Sequence, residues 1–231
     1  MKAVILDDEG LYQRDATVDE VGVIAIDGPN VFKGYVNPIH NKGLWIEING
    51  HSWLNTGDLG RQDAQGYFWL TGRKKELIIR GGHNIDPKSI EEPLHQHPAV
   101  AMAAAVGMPD PYAGELPVAY VELKANTQTN EAELLTFLQE HIQERAAQPK
   151  YIRIIEKMPV TAVGKIFKPS LQMLEIEGVI RKECESLNQD IISLAIVQDS
   201  KRGLVAKLHC QGNTQNLQEK LAQYTFAIEW L

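Results

Sequence analysis

The pattern of apolar and polar positions changes character near Ile85. Before it, apolar residues come in short runs separated by turn formers. Val21-Gly22-Val23-Ile24-Ala25-Ile26 predicts a strand and Asp27-Gly28-Pro29-Asn30 a turn. Val31-Phe32-Lys33-Gly34-Tyr35 runs into a proline-containing loop, and Leu44 to Ile48 alternates weakly before Asn49-Gly50 leads to Trp53. Residues 1–50 therefore read as short strands and turns without a helix, a segment expected to complete a larger body. Trp53 to Leu59 is strand-like but broken by Asn55-Thr56-Gly57-Asp58, where Gly57 allows a tight turn with Asp58 at its exit. Asp63-Ala64-Gln65-Gly66 predicts a hairpin tip ahead of the aromatic stretch Tyr67-Phe68-Trp69, and Leu77-Ile78-Ile79 a short strand.

Beyond Ile85 the periods lengthen. Asp86-Pro87 marks a helix start, with Asp as cap and Pro at the first helical position, and the helix is expected over Pro87 to Gln96 with Pro93 as a source of kinking. Val100 to Val106 is apolar throughout, as in a buried strand. Gly107 to Leu116, with Pro109, Pro111 and Gly114, predicts a loop, and Pro117 to Leu123 a second strand. Asn130 with Glu133 three residues on resembles a capping box, and Leu134, Leu135, Leu138 and Ile142 form one apolar stripe. Tyr151 to Ile155 completes an expected three-stranded sheet covered by helices. A helix over 169–187, weakened by Gly178, precedes a tail. The tail reads as a hairpin (Ile191 to Val197, Leu204 to His209, turn at Asp199 to Gly203), a helix from Asn213 to Gln223 and a strand from Thr225 to Trp230. The fold class is α+β: a β-rich N-terminal segment, a small sheet-plus-helices domain and a hairpin, helix and strand tail.

Composition narrows the function classes. A formal charge of −7 argues against a general nucleic-acid surface. No apolar run reaches the roughly 18 residues of a membrane span, and no basic-then-apolar leader follows Met1, so a cytoplasmic setting is expected. Cys184 and Cys210 form no CxxC pattern and fit reduced thiols. His95 and His97, two apart, fall on different helix faces, and no metal site is expected from the seven histidines.

Three features carry candidate chemistry. A carboxylate on a turn, Asp58, can accept hydrogen bonds from a diol such as that of a ribose, or can cap its own backbone in an Asx turn. Arg73, Lys74, Lys75 and Arg80 form a basic cluster in an acidic chain, beside Gly81-Gly82 and a helix start, where an anion or a closely approaching ligand could sit; a solvated charge run is the alternative. Gly164-Lys165 ends a loop that begins at Pro159. A phosphate-binding P-loop needs Gly five residues before the Gly-Lys pair and Ser or Thr after it, and Pro159 and Ile166 occupy those places. What remains is a single lysine presented by a glycine, either an ordinary surface residue or a point charge able to neutralise a phosphate or a developing oxyanion.

The order of motifs is more specific than any one of them. Asn55-Thr56-Gly57-Asp58-Leu59, Gly72-Arg73-Lys74-Lys75-Glu76-Leu77-Ile78, Gly81-Gly82-His83-Asn84-Ile85, Glu91-Glu92 with His97-Pro98-Ala99-Val100, Val106-Gly107-Met108-Pro109-Asp110 and Pro159 with Gly164-Lys165 follow one another. Over about residues 20 to 172 the chain resembles the C-terminal part of the adenylate-forming enzymes, AMP-forming acyl-CoA synthetases above all. The resemblance implies ATP-driven activation of a fatty or related carboxylic acid to an acyl-adenylate, then transfer to CoA. It implies that Asp58 binds the ribose hydroxyls with Arg73 near the same sugar, that Lys75 is the hinge, and that Gly81 and Gly82 line the CoA pantetheine tunnel. It assigns Lys165 to bridging substrate carboxylate and α-phosphate in adenylation. It further implies domain limits of 1–72 for the end of a large N-terminal adenylation domain, 73–172 for a mobile C-terminal domain and 173–231 for an extension. The phosphate loop, the acyl pocket and the Mg-ATP contacts would belong to that large domain, so the chain is expected to be inactive alone. Val160 stands where a basic residue is common, and Lys168 where Arg is common. An adenylation module that loads an acyl-carrier protein, and a non-catalytic interaction domain, are the alternatives.

Overall fold

A computed structural model describes residues 1–199 and 202–231. The chain divides into two compact units, Met1–Leu77 and Ile78–Leu231.

The first unit is a six-stranded antiparallel sheet. Its strands are β1 (Lys2–Leu6), β2 (Tyr12–Asp15), β3 (Gly22–Ile26), β4 (Trp45–Ile48), β5 (His51–Gln62) and β6 (Phe68–Arg73), in the order β2-β1-β3-β5-β4 with β6 also on β5. Asn49 and Gly50 both take positive φ, 51° and 80°, the backbone of a two-residue hairpin turn, and this explains the Asn-Gly pair between β4 and β5. The tip at Asp63 to Gly66 forms as expected. Asp63 Oδ1 accepts the Gln65 and Tyr67 amides, and Oδ2 accepts the Trp69 indole at 2.7 Å, which holds the carboxyl below the usual range. Alternation puts Val4, Val23, Ala25, Ile46 and Ile48 on one buried face, packed by Leu6, Tyr12, Trp53 and Leu59.

The second unit opens with the short strands β7 (Ile78–Arg80) and β8 (His83–Ile85), then α1 (Lys88–Gln96), β9 (Val100–Asp110), β10 (Gly114–Leu123), α2 (Glu131–His141) and β11 (Ile152–Ile154). The sheet has five strands rather than the expected three, ordered β11-β10-β7-β8 with β9 on β10. The loop expected over Gly107 to Leu116 is instead the continuation of a long hairpin: β9 and β10 pair in register from Val106↔Val118 to Asp110↔Gly114. Proline-based reasoning failed there because Pro109 lies on an edge strand, where a missing N–H is tolerated. Pro93 likewise sits within α1 without ending it. Asn130 Oδ1 accepts Glu133 N–H at 2.9 Å and caps α2 as expected, whereas α1 starts at Lys88 with Pro87 at its cap position, and Asp86 Oδ1 accepts Lys88 N–H at 3.0 Å from one residue earlier than that. Ile90 and Leu94 of α1 and Leu134 and Leu138 of α2 bury against one sheet face with Ile78, Ile85, Val121 and Ile152.

The other face of the sheet, with Ala104, Val106, Val118 and Tyr120, packs against Leu171 of α3 (Lys168–Ser186). The tail follows as β12 (Ile191–Asp199), β13 (Gly203–Cys210), α4 (Gln215–Leu221) and β14 (Ala227–Trp230), a three-stranded sheet ordered β12-β13-β14. Of the expected turn at Asp199 to Gly203, residues 200 and 201 lie outside the described residues. Ile176, Ile180 and Cys184 of α3 share a core with Ala206, Leu208, Cys210, Leu217 and Leu221. Cys184 and Cys210 are buried free thiols, and burial pushes Cys184 up to about 12. No helix among the described residues is long and apolar enough to cross a membrane.

Candidate functional site

Asp58 is placed by a bulge and not by the expected turn. Val23 faces Leu59 and Ala25 faces Asn55, so Thr56, Gly57 and Asp58 stand opposite the single residue Ile24 while β5 continues. Gly57 supplies the left-handed backbone, φ +71°. Thr56 Oγ1 donates to Ile24 O at 2.7 Å and accepts Asp58 N–H at 3.1 Å, and Asn55 Oδ1 accepts Gly57 N–H at 3.0 Å. The bulge is therefore closed by Asn55 and Thr56, and the self-capping alternative for Asp58 does not occur. Its carboxylate faces Arg73, the residue directly across on β6, with Oδ1 3.1 Å from Nε. The side chains are 30% and 62% exposed, and such a pair contributes only about 0–1 kcal/mol, so a ligand hydroxyl could displace the guanidinium at small cost.

Lys74–Glu76 forms a 3-10 turn after β6, and Lys75 stands exposed on it, two residues ahead of the boundary at Leu77. The basic cluster is not a single set of available cations. Arg80 belongs to the second unit, and its guanidinium donates to the Ala146 carbonyl at 2.8 Å, securing the short 3-10 turn Arg145–Ala147.

Gly81 and Gly82 are the two central residues of the β7–β8 hairpin, at φ +55° and +85°, with Arg80 paired to His83. Positive φ at both positions is what a tight primed turn demands, and it accounts for the glycine pair by itself. A Cβ at either position would meet nothing within 4 Å, so the turn also leaves its backbone open to an approaching ligand. Gly81 N–H donates to Ala113 O at 2.7 Å, which seats the turn beside the β9–β10 tip. Next to it, Glu115 accepts Ile79 N–H at 2.8 Å, and burial pushes its carboxyl above the usual range against that hydrogen bond. Burial also raises Asp86, at the start of α1.

Lys165 stands at the far foot of a small hairpin between β11 and α3. Thr161 N–H donates to Lys165 O at 2.7 Å, Gly164 N–H to Thr161 O at 2.9 Å, and Lys165 N–H to Thr161 Oγ1 at 3.2 Å. Gly164 takes φ +78°, which closes the turn. At the base, Phe167 N–H donates to Pro159 O at 2.8 Å, and Met158, buried, donates its N–H to Glu122 Oε2 at 2.6 Å. The Lys165 side chain points from an exposed position. Three residues on, Lys168 Nζ lies 2.8 Å from Glu91 Oε1 of α1.

The sequence-derived residues thus fall into separate groups. Asp58 and Arg73 are brought face to face in the first unit, Gly81 and Gly82 form one turn of the second, and Lys165 occupies another loop of it. Glu122 and Thr161 escaped the sequence reading, and Glu91 entered it only as part of a motif run without a role, since a glutamate that meets a lysine or an amide from a distant element leaves no local signal. The described residues hold no group of three or more His, Cys, Asp or Glu side chains able to bind a metal ion.

Comparison with known proteins adds a family. Residues 89–165 match the profile of the AMP-binding enzyme C-terminal domain. The chain is 44% identical over 224 residues, 96% of its length and 34% of the relative's, to a marinolic acid–CoA ligase of Pseudoalteromonas sp. (strain SANK 73390). It is 37% identical over 175 residues, 74% of the chain and 30% of the relative, to a long-chain-fatty-acid–CoA ligase of Bacillus subtilis. Among solved structures it resembles ATP-bound MatB from Rhodopseudomonas palustris (TM-score 0.64, 30% identity, 74% of this chain and 33% of that one). It also resembles the AMP complex of the Bacillus subtilis O-succinylbenzoate coenzyme A synthetase MenE (TM-score 0.62, 32% identity, 74% and 33%). The chain spans about a third of the length of the curated relatives it matches.

Proposed function

The chain belongs to the adenylate-forming enzymes, to whose C-terminal portion it corresponds, and from that premise we propose that it serves an AMP-forming acid–thiol ligase that makes an acyl-CoA. In the first half-reaction a carboxylate oxygen attacks the α-phosphorus of ATP; the acyl-adenylate forms and pyrophosphate leaves. In the second, the CoA thiol loses its proton and attacks the acyl carbon, and AMP leaves. The observation that carries the reading is the match of nearly the whole chain, 96% of it at 44% identity, to a CoA ligase.

The residues fit these roles. The Asp58 carboxylate accepts from the ribose hydroxyls, and Arg73, directly across from it, follows the same sugar. Lys165 places a mobile cation between two anions that must meet, which lowers the barrier by electrostatic stabilisation. Lys75 is the hinge, and the Gly81-Gly82 turn offers an unobstructed backbone to the pantetheine arm. The phosphate loop and Mg-ATP contacts lie in the large domain that complete ligases carry. The acid is a fatty or related carboxylic acid, and CoA is the acceptor in preference to a carrier protein, in line with the CoA ligases among the relatives.

The test separates the half-reactions in the complete ligase. Lys165→Ala should abolish acid-dependent ATP–pyrophosphate exchange, a loss of about 3 kcal/mol or more in that step, and spare thioester formation from preformed acyl-adenylate. Equal loss in both steps would remove Lys165 from its role. A panel of carboxylic acids, with CoA and a carrier protein as rival acceptors, then fixes the specificity.

A further inference from the structure

Within the Lys165 hairpin, Ile166 packs on the core beside its exit and bridges to Val160, while the tip stands clear. Val160 and Val163 are 43% and 79% exposed, so the direction of the loop depends on its two feet. The entry foot is Met158, fixed through its amide to Glu122. The exit foot is Lys168, on the first turn of α3, whose ammonium meets Glu91 Oε1 at 2.8 Å with side chains only 16% and 15% exposed. The same Glu91 oxygen accepts the Ala105 amide of β9 at 2.8 Å. The carboxylate is therefore immobilised between a helix and a strand, and it presents a fixed anion to the residue that ends the loop. An exposed pair adds little, whereas a pair withdrawn from water fixes geometry because separating it takes the counter-ion from the sheltered Glu91 carboxylate.

We propose that the Glu91–Lys168 ion pair is a positioning device for Lys165, anchoring the exit of its hairpin to α1 and β9. The proposal rests on the reading of Lys165 as the adenylation lysine. Neither Glu91 nor Lys168 touches substrate: they act through the loop. Releasing the pair lets the base of the hairpin swing, so that its internal hydrogen bonds open more often.

Two measurements test this. The first is amide hydrogen exchange on the 231-residue chain. Lys168→Met removes the cation, and Glu91→Gln removes the charge while keeping a carbonyl acceptor for Ala105. Either change should speed exchange at Thr161, Gly164, Lys165 and Phe167 about tenfold, with no further gain in the double variant and no change at Val118 to Val121 of β10. The double variant buries no lone charge, so it still reports if either single variant folds poorly. Unchanged loop amides, or equal acceleration in β10, would overturn the proposal.

The second uses the complete ligase. Lys168→Met and Glu91→Gln should each lower kcat for acid-dependent pyrophosphate exchange about tenfold, leaving the KM for ATP and the thioester half-reaction in place. Lys168→Arg, which keeps the pair, should restore kcat. Lys165→Ala is run alongside. If it retains adenylation, the functional reading fails. If it loses adenylation while Lys168→Met and Glu91→Gln retain theirs, the positioning role alone fails.

Discussion

At the residue scale, Gly81 and Gly60 answer different needs. Gly81 stands at φ +55° with open space where a Cβ would be. Gly60, in β5, has Trp69 O 2.7 Å from that position and Ile24 Cδ1 at 3.0 Å. Gly81→Ala should cost about 1–2 kcal/mol of backbone strain, and Gly81→Asn should recover part of it because Asn tolerates the left-handed region. Gly60→Ala should cost about 1–3 kcal/mol through overpacking, and Gly60→Asn more than Gly60→Ala. Urea unfolding of the four variants checks the opposite order. Local conformation of the first kind is legible in a sequence, because a glycine pair between short apolar runs announces a turn. Contact of the second kind is not, because the partner comes from another strand. The same division holds for Asp58. The Thr-Gly-Asp signature marked the place, but only the pairing of β3 with β5 shows a bulge closed by Asn55 and Thr56, with the carboxylate left to face Arg73.

At the scale of elements, periodicity and caps located the helices well, and proline misled. Asn130 caps α2 as its position suggested. Pro109, Pro111 and Gly114 suggested a loop over Gly107 to Leu116, yet most of it continues the β9–β10 hairpin, where Pro109 faces Glu115. The edge position of β9 relaxes the rule, and edges are a property of the sheet as a whole. Gly178 in α3 is the clearest case of a residue below its element's optimum. It lies inside the helix, away from the left-handed region, and a Cβ there would meet nothing within 4 Å. Gly178→Ala should stabilise the protein by about 1 kcal/mol through helix propensity, read as a higher urea midpoint at unchanged slope. A midpoint that falls would mean that the groove beside Gly178, lined by Arg153, Leu174 and Arg181, must stay clear.

At the scale of the molecule, the second unit is held together by a buried polar knot as well as by its cores. Glu175 of α3, 2% exposed, accepts the hydroxyls of Tyr120 on β10 and Tyr151 before β11, and lies 3.3 Å from Arg153 Nε. Burial first, then the bond to Glu175, pushes the Tyr151 hydroxyl up to about 12 from its ordinary 10.0, and Tyr120 moves the same way. A phenol with a raised folded pKa keeps its proton when the unfolded chain has lost it. Its stabilising contribution is therefore complete below pH 10 and lost as pH rises from 10 towards 12 and beyond. Tyr151→Phe should cost about 1–3 kcal/mol at neutral pH by depriving Glu175 of a donor, and should flatten the stability profile over that alkaline window. Identical slopes for the two proteins would show that Tyr151 does not titrate as part of the knot.

What the sequence determined on its own was local or ordered along the chain: the short strands and turns before Ile85, the helices after it, and a succession of motifs specific enough to name the family. These survive because turn chemistry, helix period and motif order are all written within a few neighbouring residues or in their linear sequence. What only the tertiary structure decided lies between elements distant in sequence. It includes the widening of the sheet to five strands, the bulge that frees Asp58, the commitment of Arg80 to Ala146, and the pairing of Glu91 with Lys168 and of Glu175 with its tyrosines. Each depends on which strand lies beside which and on how much water is left between charged groups, and neither quantity exists until the chain has folded.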